Sequence, residues 1–267
     1  MREEHPDVPR LTLRGVNKTF TRKRKPPLEA LSDINMEIPT GEFAVIVGPS
    51  GCGKSTLLNI IAGLDYADNG EILIDGTRPV FAPGADRGMV FQNYTLFPWL
   101  SVRKNIEFGP HVGGVDKTTR QHLAEHYIEL VGLRGFEDAL PKTLSGGMKQ
   151  RVAIARTLAN KPMILLMDEP FGALDAQTRI VMQELLIEIW RKERTTIVFI
   201  THDIDEALLL GTKVYVMSRR PGKIVASFPV ELGERRDHTM LIDPDFLRLK
   251  KQIMELLWEE SLAAARE

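Results

Sequence analysis

The sequence predicts an α/β fold built on a parallel sheet, preceded by an antiparallel β stretch and interrupted by a helical insertion. Three observations carry this. Short, continuously apolar runs at Phe43–Val47, Ile164–Met167, Ile197–Ile200 and Val214–Met217 have the pattern of parallel strands buried on both faces. Helical patterns alternate with several of these runs, which is the order of a parallel α/β sheet. The stretch from Gln92 to Leu158 instead shows helical patterns without a convincing strand, and reads as the insertion.

Composition sets the outer limits. The 267 residues are 43% hydrophobic and 27% charged, which excludes a disordered chain. Lys+Arg 35 against Asp+Glu 36 leave a formal net charge of -1, so bulk attraction to nucleic acid is not expected. Cys52 is the only cysteine, which rules out an internal disulfide and a multi-cysteine zinc site. No apolar run approaches the ~20 residues of a spanning helix, and Met1–Pro6 lacks the apolar stretch of a signal peptide. A cytoplasmic chain is expected, unless a partner holds it at a membrane.

In chain order, Leu11–Phe20 is β-like and leads into the basic run Thr21–Pro27, which reads as a solvated hairpin tip. Ile34–Ile38 is a second short strand, and Pro39-Thr40-Gly41-Glu42 turns it into Phe43–Val47. Within the insertion, His122–Val131 and Gly146–Leu158 are helical. After Ile164–Met167, Pro170–Gly172 breaks the pattern, and a long helix follows with Val181, Met182, Leu185, Leu186 and Ile189 on one face. Asp205–Leu210 is a helix between the last two apolar strands. In the tail, Asp243 then Pro244 has the form of an N-cap followed by proline at the first helical position. Phe246, Leu249, Ile253 and Leu256 make a helical stripe that packs on the parent domain or, as the lesser alternative, receives a partner.

Gly48-Pro49-Ser50-Gly51-Cys52-Gly53-Lys54-Ser55 matches the phosphate-loop pattern G-x-x-x-x-G-K-[ST]. Glycines let the backbone curl so that N–H groups converge on phosphate oxygens. The helix Lys54–Ala62, with Thr56 in its first turn, presents its positive dipole end to the same anion. Lys54 can reach the β- and γ-phosphates, and Ser55 can offer its hydroxyl to Mg²⁺. A surface Gly-rich turn does not explain why a buried strand runs in and an apolar helix runs out. Cys52, beside a helix N-terminus, is expected to be a reactive thiol that nucleotide protects; a buried, inert thiol is the alternative.

Ile164–Met167 ends in Asp168-Glu169. Adjacent strand residues point to opposite faces, so two consecutive carboxylates share a task only where the chain is turning. The carboxyl end of a strand is such a place, and α/β sheets bind ligands there. Asp168 suits hydrated Mg²⁺, and Glu169 could accept a proton from an attacking water.

Gly48–Ser55, Leu144-Ser145-Gly146-Gly147-Met148-Lys149-Gln150, the Asp168-Glu169 strand and His202 occur in that order. Over residues 10–230 the chain resembles the ATP-binding subunit of an ABC transporter. The resemblance implies one ABC ATPase domain on a P-loop NTPase core. Residues 10–92 and 159–230 would form the nucleotide-binding core, 93–158 a helical subdomain with the signature motif, and 231–267 a helical tail. It also implies ATP and Mg²⁺ as cofactors. Phe20 is similar to the aromatic that stacks on adenine, although an exposed hairpin phenylalanine is an alternative. Gln92, after the strand Gly88–Phe91, is similar to the glutamine that reaches Mg²⁺ and the attacking water. Asp175 matches the aspartate that links two nucleotide sites, and His202 the histidine at the γ-phosphate. Ser145, Gly146 and Gly147 match the loop that contacts ATP held by another subunit. Independently of family, Met148 stands where a capping box wants Glu or Gln, leaving helix-end N–H groups as a second anion site.

Asp86-Arg87-Gly88 and Phe97-Pro98-Trp99-Leu100-Ser101-Val102 are similar to the nitrate, taurine and aliphatic sulfonate importers. That resemblance implies a peripheral subunit on the cytoplasmic side of the membrane. Its partners would be a second ATP-binding subunit, integral permease subunits and, indirectly, a solute-binding protein. Phe97, Trp99 and Leu100 would line a groove for a membrane-subunit helix, with core packing as the alternative. Two other functions stay open on sequence: a non-transport cytosolic ABC ATPase, and a P-loop regulatory module with incidental hydrolysis.

Overall fold

In the computed structural model, residues 8–233 and 236–265 are described; Met1–Pro6 lie outside them. The elements run β1 (Leu11–Arg22), β2 (Lys25–Ile38), β3 (Phe43–Val47), α1 (Lys54–Ala62), β4 (Asn69–Ile74), β5 (Arg78–Pro79) and β6 (Arg87–Val90). There follow α2 (Val102–Val112), α3 (Lys117–Leu130), α4 (Gly146–Leu158), β7 (Ile164–Asp168) and α5 (Ala176–Glu193). The chain closes with β8 (Thr196–Thr201), α6 (Ile204–Leu210), β9 (Lys213–Met217), β10 (Ile224–Pro229) and α7 (Pro244–Ala265). Two units contain them: Met1–Gly84 with Arg194–Glu267, and Ala85–Glu193.

The first unit carries an antiparallel sheet in the order β2-β1-β4-β5. Here β2 is an edge strand, and its register with β1 shifts between Phe20↔Leu28 and Arg22↔Lys25, so Pro26 and Pro27 lie at an irregularity where the ladder tolerates a missing N–H. The basic run is a turn at Lys23-Arg24 between paired Arg22 and Lys25, with exposed side chains, as a solvated tip requires. The same unit holds β9, β3 and β8 in parallel, with β10 antiparallel to β9. Phe43 to Val47 are fully buried, as their unbroken apolarity demands. The tail helix packs on this unit: Phe246 and Ile253 are buried, and Lys250 pairs with Asp205 of α6 at 2.7 Å. Asp243 caps α7, accepting from the N–H groups of Asp245 and Phe246 at 2.8 and 3.3 Å.

The second unit combines the parallel pair β6 and β7 with helices α2 to α5. The fold is thus α/β with parallel strands, an N-terminal antiparallel part and a helical insert. Helix α2 escapes sequence reading because its buried face includes Asn105 and Glu107, and because Pro110 lies in its last turn. Asn105 accepts from the Phe97 N–H at 2.9 Å and donates to the carbonyls of Phe97, Leu100 and Ser101 at 3.2, 2.9 and 3.0 Å. A buried polar side chain is tolerated where it is satisfied, and this one fixes the Phe97–Ser101 turn.

Candidate functional site

The predicted residues fall into two groups, one on each unit. In the first, buried β3 ends at Val47 and the chain curls back through Gly48–Gly53 into α1. A Cβ at Gly48 would lie 2.8 Å from the Met217 carbonyl oxygen, so only glycine lets strand and loop pass. Gly53 has φ 114, and a Cβ there would lie 2.8 Å from the Ala30 carbonyl oxygen. It is also the N-cap of α1 and supplies no side-chain acceptor to the first turn.

Lys54 is 6% exposed, and its ammonium donates to the carbonyls of Gly48 and Pro49 at 2.8 and 3.0 Å. The Lys54 ammonium is therefore satisfied by the loop itself. Ser50, Gly51 and Ser55 are exposed, and Pro49 and Thr56 half-buried. Cys52 is 1% exposed, and burial pushes its thiol up despite the nearby Lys54. This corrects the expectation of a reactive thiol: desolvation of the thiolate outweighs the neighbouring positive charge.

His202 follows β8 and is exposed, while Asp203 caps α6 by accepting from the N–H groups of Asp205 and Glu206 at 2.9 and 3.2 Å. Phe20, half-buried on β1, has the Lys18 ammonium 5.2 Å from its ring centroid.

In the second unit, Asp168 ends β7 and Glu169 takes the left-handed conformation, φ 42. The Gly172 N–H closes the turn on the Glu169 carbonyl at 3.1 Å. This turn breaks the alternation of faces that would otherwise separate the two carboxylates. A Cβ at Gly172 would lie 3.5 Å from Gln92 Nε2 and 3.9 Å from Glu169 Oε2, so the structure brings Gln92 and Glu169 to the same glycine.

Ser145 caps α4, its hydroxyl accepting from the Met148 N–H at 3.3 Å. The two glycines after it are closely approached, Gly146 by the movable end of a tyrosine and Gly147 by a short β-branched side chain. A Cβ at Gly146 would meet the Tyr94 hydroxyl at 2.9 Å, and one at Gly147 would meet Thr178 Cγ2 at 2.6 Å. Asp175 caps α5: its carboxylate accepts from the Thr178 N–H at 3.0 Å and from the Thr178 hydroxyl at 2.7 Å. These bonds hold its carboxyl below the usual carboxylate range.

Sequence reasoning missed Arg156, which donates to the Thr95 carbonyl and hydroxyl at 2.8 and 3.0 Å and lies 5.5 Å from the Phe97 ring centroid. It anchors the segment that follows Gln92. Trp99 is 72% exposed, so it is not a core residue. With Leu100, Lys104, Glu107 and Phe108 it lines a groove of about 320 Å³.

Residues 31–172 match the family model described as ABC transporter. An uncharacterized ABC transporter ATP-binding protein of Methanocaldococcus jannaschii is 52% identical over 239 residues, covering 90% of this chain and 88% of the relative. The nitrate import ATP-binding protein NrtD of a Synechocystis species is 49% identical over 253 residues, covering 92% and 94%. Among solved structures, a dimeric ATP-binding cassette in a post-hydrolysis state with ADP and Pi superposes with TM-score 0.72 at 34% identity. That match covers 82% of this chain and 98% of the cassette. The chain belongs to the ABC transporter family and is one of its ATP-binding, ATP-hydrolysing proteins.

Proposed function

We propose that this protein is the energy subunit of an importer for a small anionic solute such as nitrate, a sulfonate or taurine. It would act as a homodimer on the cytoplasmic side of the membrane, beneath integral permease subunits served by a separate solute-binding protein. The observation that carries the catalytic half is the convergence of Gln92 and Glu169 on Gly172 beside the end of β7. Glu169 would take a proton from the attacking water, with Gln92 orienting that water. Lys54 would leave the Gly48 and Pro49 carbonyls for the β- and γ-phosphates, the N–H groups of Gly51–Thr56 would cradle them, and His202 would contact the γ-phosphate.

The donor set fits Mg²⁺, a hard cation that takes oxygen ligands and is usually held by one or two carboxylates together with phosphates. Ser55, Gln92 and Asp168 would hold it. When bound it neutralises charge on the phosphates. Phe20 would stack on adenine, and Ser145, Gly146 and Gly147 of one subunit would close on the nucleotide of the other, with Asp175 at the same junction.

Among the described residues, no helix is long and apolar enough to cross a membrane, and the transport reading assigns that role to permease subunits. The groove beside exposed Trp99 supports docking of such a subunit, because aromatic side chains that border a groove are enriched among the residues that anchor interfaces. The relative that imports nitrate supports the solute class. Gentle solubilisation of native membranes, followed by mass spectrometry of what copurifies, tests the reading. Polytopic permease subunits are the expected partners, and a purely soluble complex would overturn it.

A further inference from the structure

The loop between β9 and β10 lies against the phosphate loop, although no motif marks it. Arg220 donates from Nε and Nη2 to the Gly51 carbonyl at 3.1 and 2.5 Å. Gly222 is tied to β2 in both directions: its N–H donates to the Ala30 carbonyl at 2.9 Å, and its carbonyl accepts from the Ser32 N–H at 3.0 Å. A Cβ at Gly222 would lie 2.4 Å from the Cys52 carbonyl oxygen, so the two loops pass with no room for a side chain. The Ser218 hydroxyl braces the turn, accepting from the Lys223 N–H at 2.9 Å. On its other side, Glu260 of α7 accepts from the Arg219 N–H at 2.9 Å.

One short segment is thus held by the C-terminal helix and grips the phosphate loop. Its grip has a directional consequence. A peptide unit is planar and trans, so fixing the Gly51 carbonyl also fixes the direction of the Cys52 N–H. On the other side of that unit the Cys52 N–H meets the Pro49 carbonyl only at a long 3.4 Å, and Gly51, at φ 73 and without a side chain, adds little resistance to its reorientation. Loop N–H groups bind phosphate well only when they already point at it, because ordering them on binding subtracts from affinity.

We propose that Arg220 is a positioning residue for nucleotide binding, and that Glu260 of α7 holds the backbone from which it reaches. Arg220 acts through the Gly51–Cys52 peptide and not on the phosphates. The proposal rests on reading Gly48–Ser55 as the phosphate loop, and is independent of which solute is transported.

The test is amide hydrogen exchange on the nucleotide-free full-length chain, with MgADP affinity measured by calorimetry on the same samples. Arg220→Ala should speed exchange at the Gly51–Lys54 amides about tenfold and weaken MgADP binding about three- to tenfold. Turnover at saturating ATP should stay within about twofold, so KM moves and kcat does not. Arg220→Lys, with one ammonium in place of the fork, should restore part of the protection. Glu260→Ala should shift the same amides less, and the double variant should equal Arg220→Ala alone, since one acts through the other. Should Arg220→Ala loosen the whole first unit, Arg220→Gln, which keeps most of the stem, is read in the same way. Unchanged exchange at Gly51–Lys54 overturns the proposal. So does weaker binding with unchanged exchange, which would put Arg220 on the nucleotide itself. Additive effects of the two substitutions overturn the role of Glu260. The exchange arm needs no turnover, so its failure is distinct from a failure of the transport reading.

Discussion

Lys54 shows how a residue's environment sharpens what its type suggests. The motif suggests a phosphate ligand, and the structure adds that its buried ammonium already serves two loop carbonyls. Lys54→Met keeps the stem and removes the charge. Turnover should fall by about 10²–10³-fold, the usual loss when one preorganised electrostatic partner is removed. Stability should fall by about 1–3 kcal/mol, because the Gly48 and Pro49 carbonyls lose their donor. Phosphate release and a denaturant melt read the two effects separately; full turnover in the folded variant would remove this lysine from the mechanism. Cys52 teaches the converse. Its neighbours in sequence suggest a low thiol pKa, but burial raises it. The thiol should therefore stay largely unlabelled by maleimide at pH 8, where about a quarter of ordinary thiols are ionised. Labelling as fast as that of a free thiol in a peptide would show that the loop opens in solution.

At the scale of elements, Gly147 has a packing reason that no motif supplies. Gly147 on α4 faces Thr178 on α5, and Thr178 is held in place by the cap on Asp175. Gly147→Ala should cost about 1–3 kcal/mol through overpacking. Adding Thr178→Ser removes the methyl but keeps the hydroxyl that donates to Asp175, and should recover much of the loss. A double-mutant cycle by chemical denaturation measures this, and two additive costs would deny the contact. The sequence made strands β3, β7, β8 and β9 legible because each is an uninterrupted apolar run. It made α4 legible because a helical pattern follows Ser145, which stands in the N-cap place. Helix α2 was not legible, since the hydrogen-bonded Asn105 and the buried Glu107, paired with Lys104, occupy core positions that a hydrophobic pattern reads as surface. Strand β10 was missed because it alternates half-buried and exposed residues instead of running apolar. Arg156 and Arg220 were also invisible: each grips a backbone carbonyl distant in sequence, and any exposed arginine has the same composition signal.

Trp99 belongs to the scale between element and assembly. Its ring lies 5.8 Å from that of Phe97, which in turn lies 4.4 Å from Phe108, so an aromatic patch borders the groove. Because Trp99 is 72% exposed, Trp99→Ala should leave the melting temperature and the basal ATPase of the isolated subunit nearly unchanged. Reconstituted with the proposed permease subunits, the same variant should lose transport and partner-stimulated turnover. Retained coupling would move the docking surface elsewhere.

For the whole molecule, the central claim is that two copies share their nucleotides and that Glu169 is the base. Glu169→Gln keeps size and hydrogen bonding but removes the basic carboxylate, so turnover should fall by about 10²–10⁴-fold. The phosphate loop is untouched, so MgATP should still bind. Unhydrolysed ATP, favouring the dimer over the monomer, then shifts assembly toward the dimer by mass action. The direct measurement is size-exclusion chromatography with light scattering on Glu169→Gln in MgATP and in MgADP. A dimer in MgATP that reverts to monomer in MgADP, together with slow turnover, is the predicted result. A variant that binds MgATP yet stays monomeric at tens of micromolar, or one that hydrolyses at the wild-type rate, would contradict it.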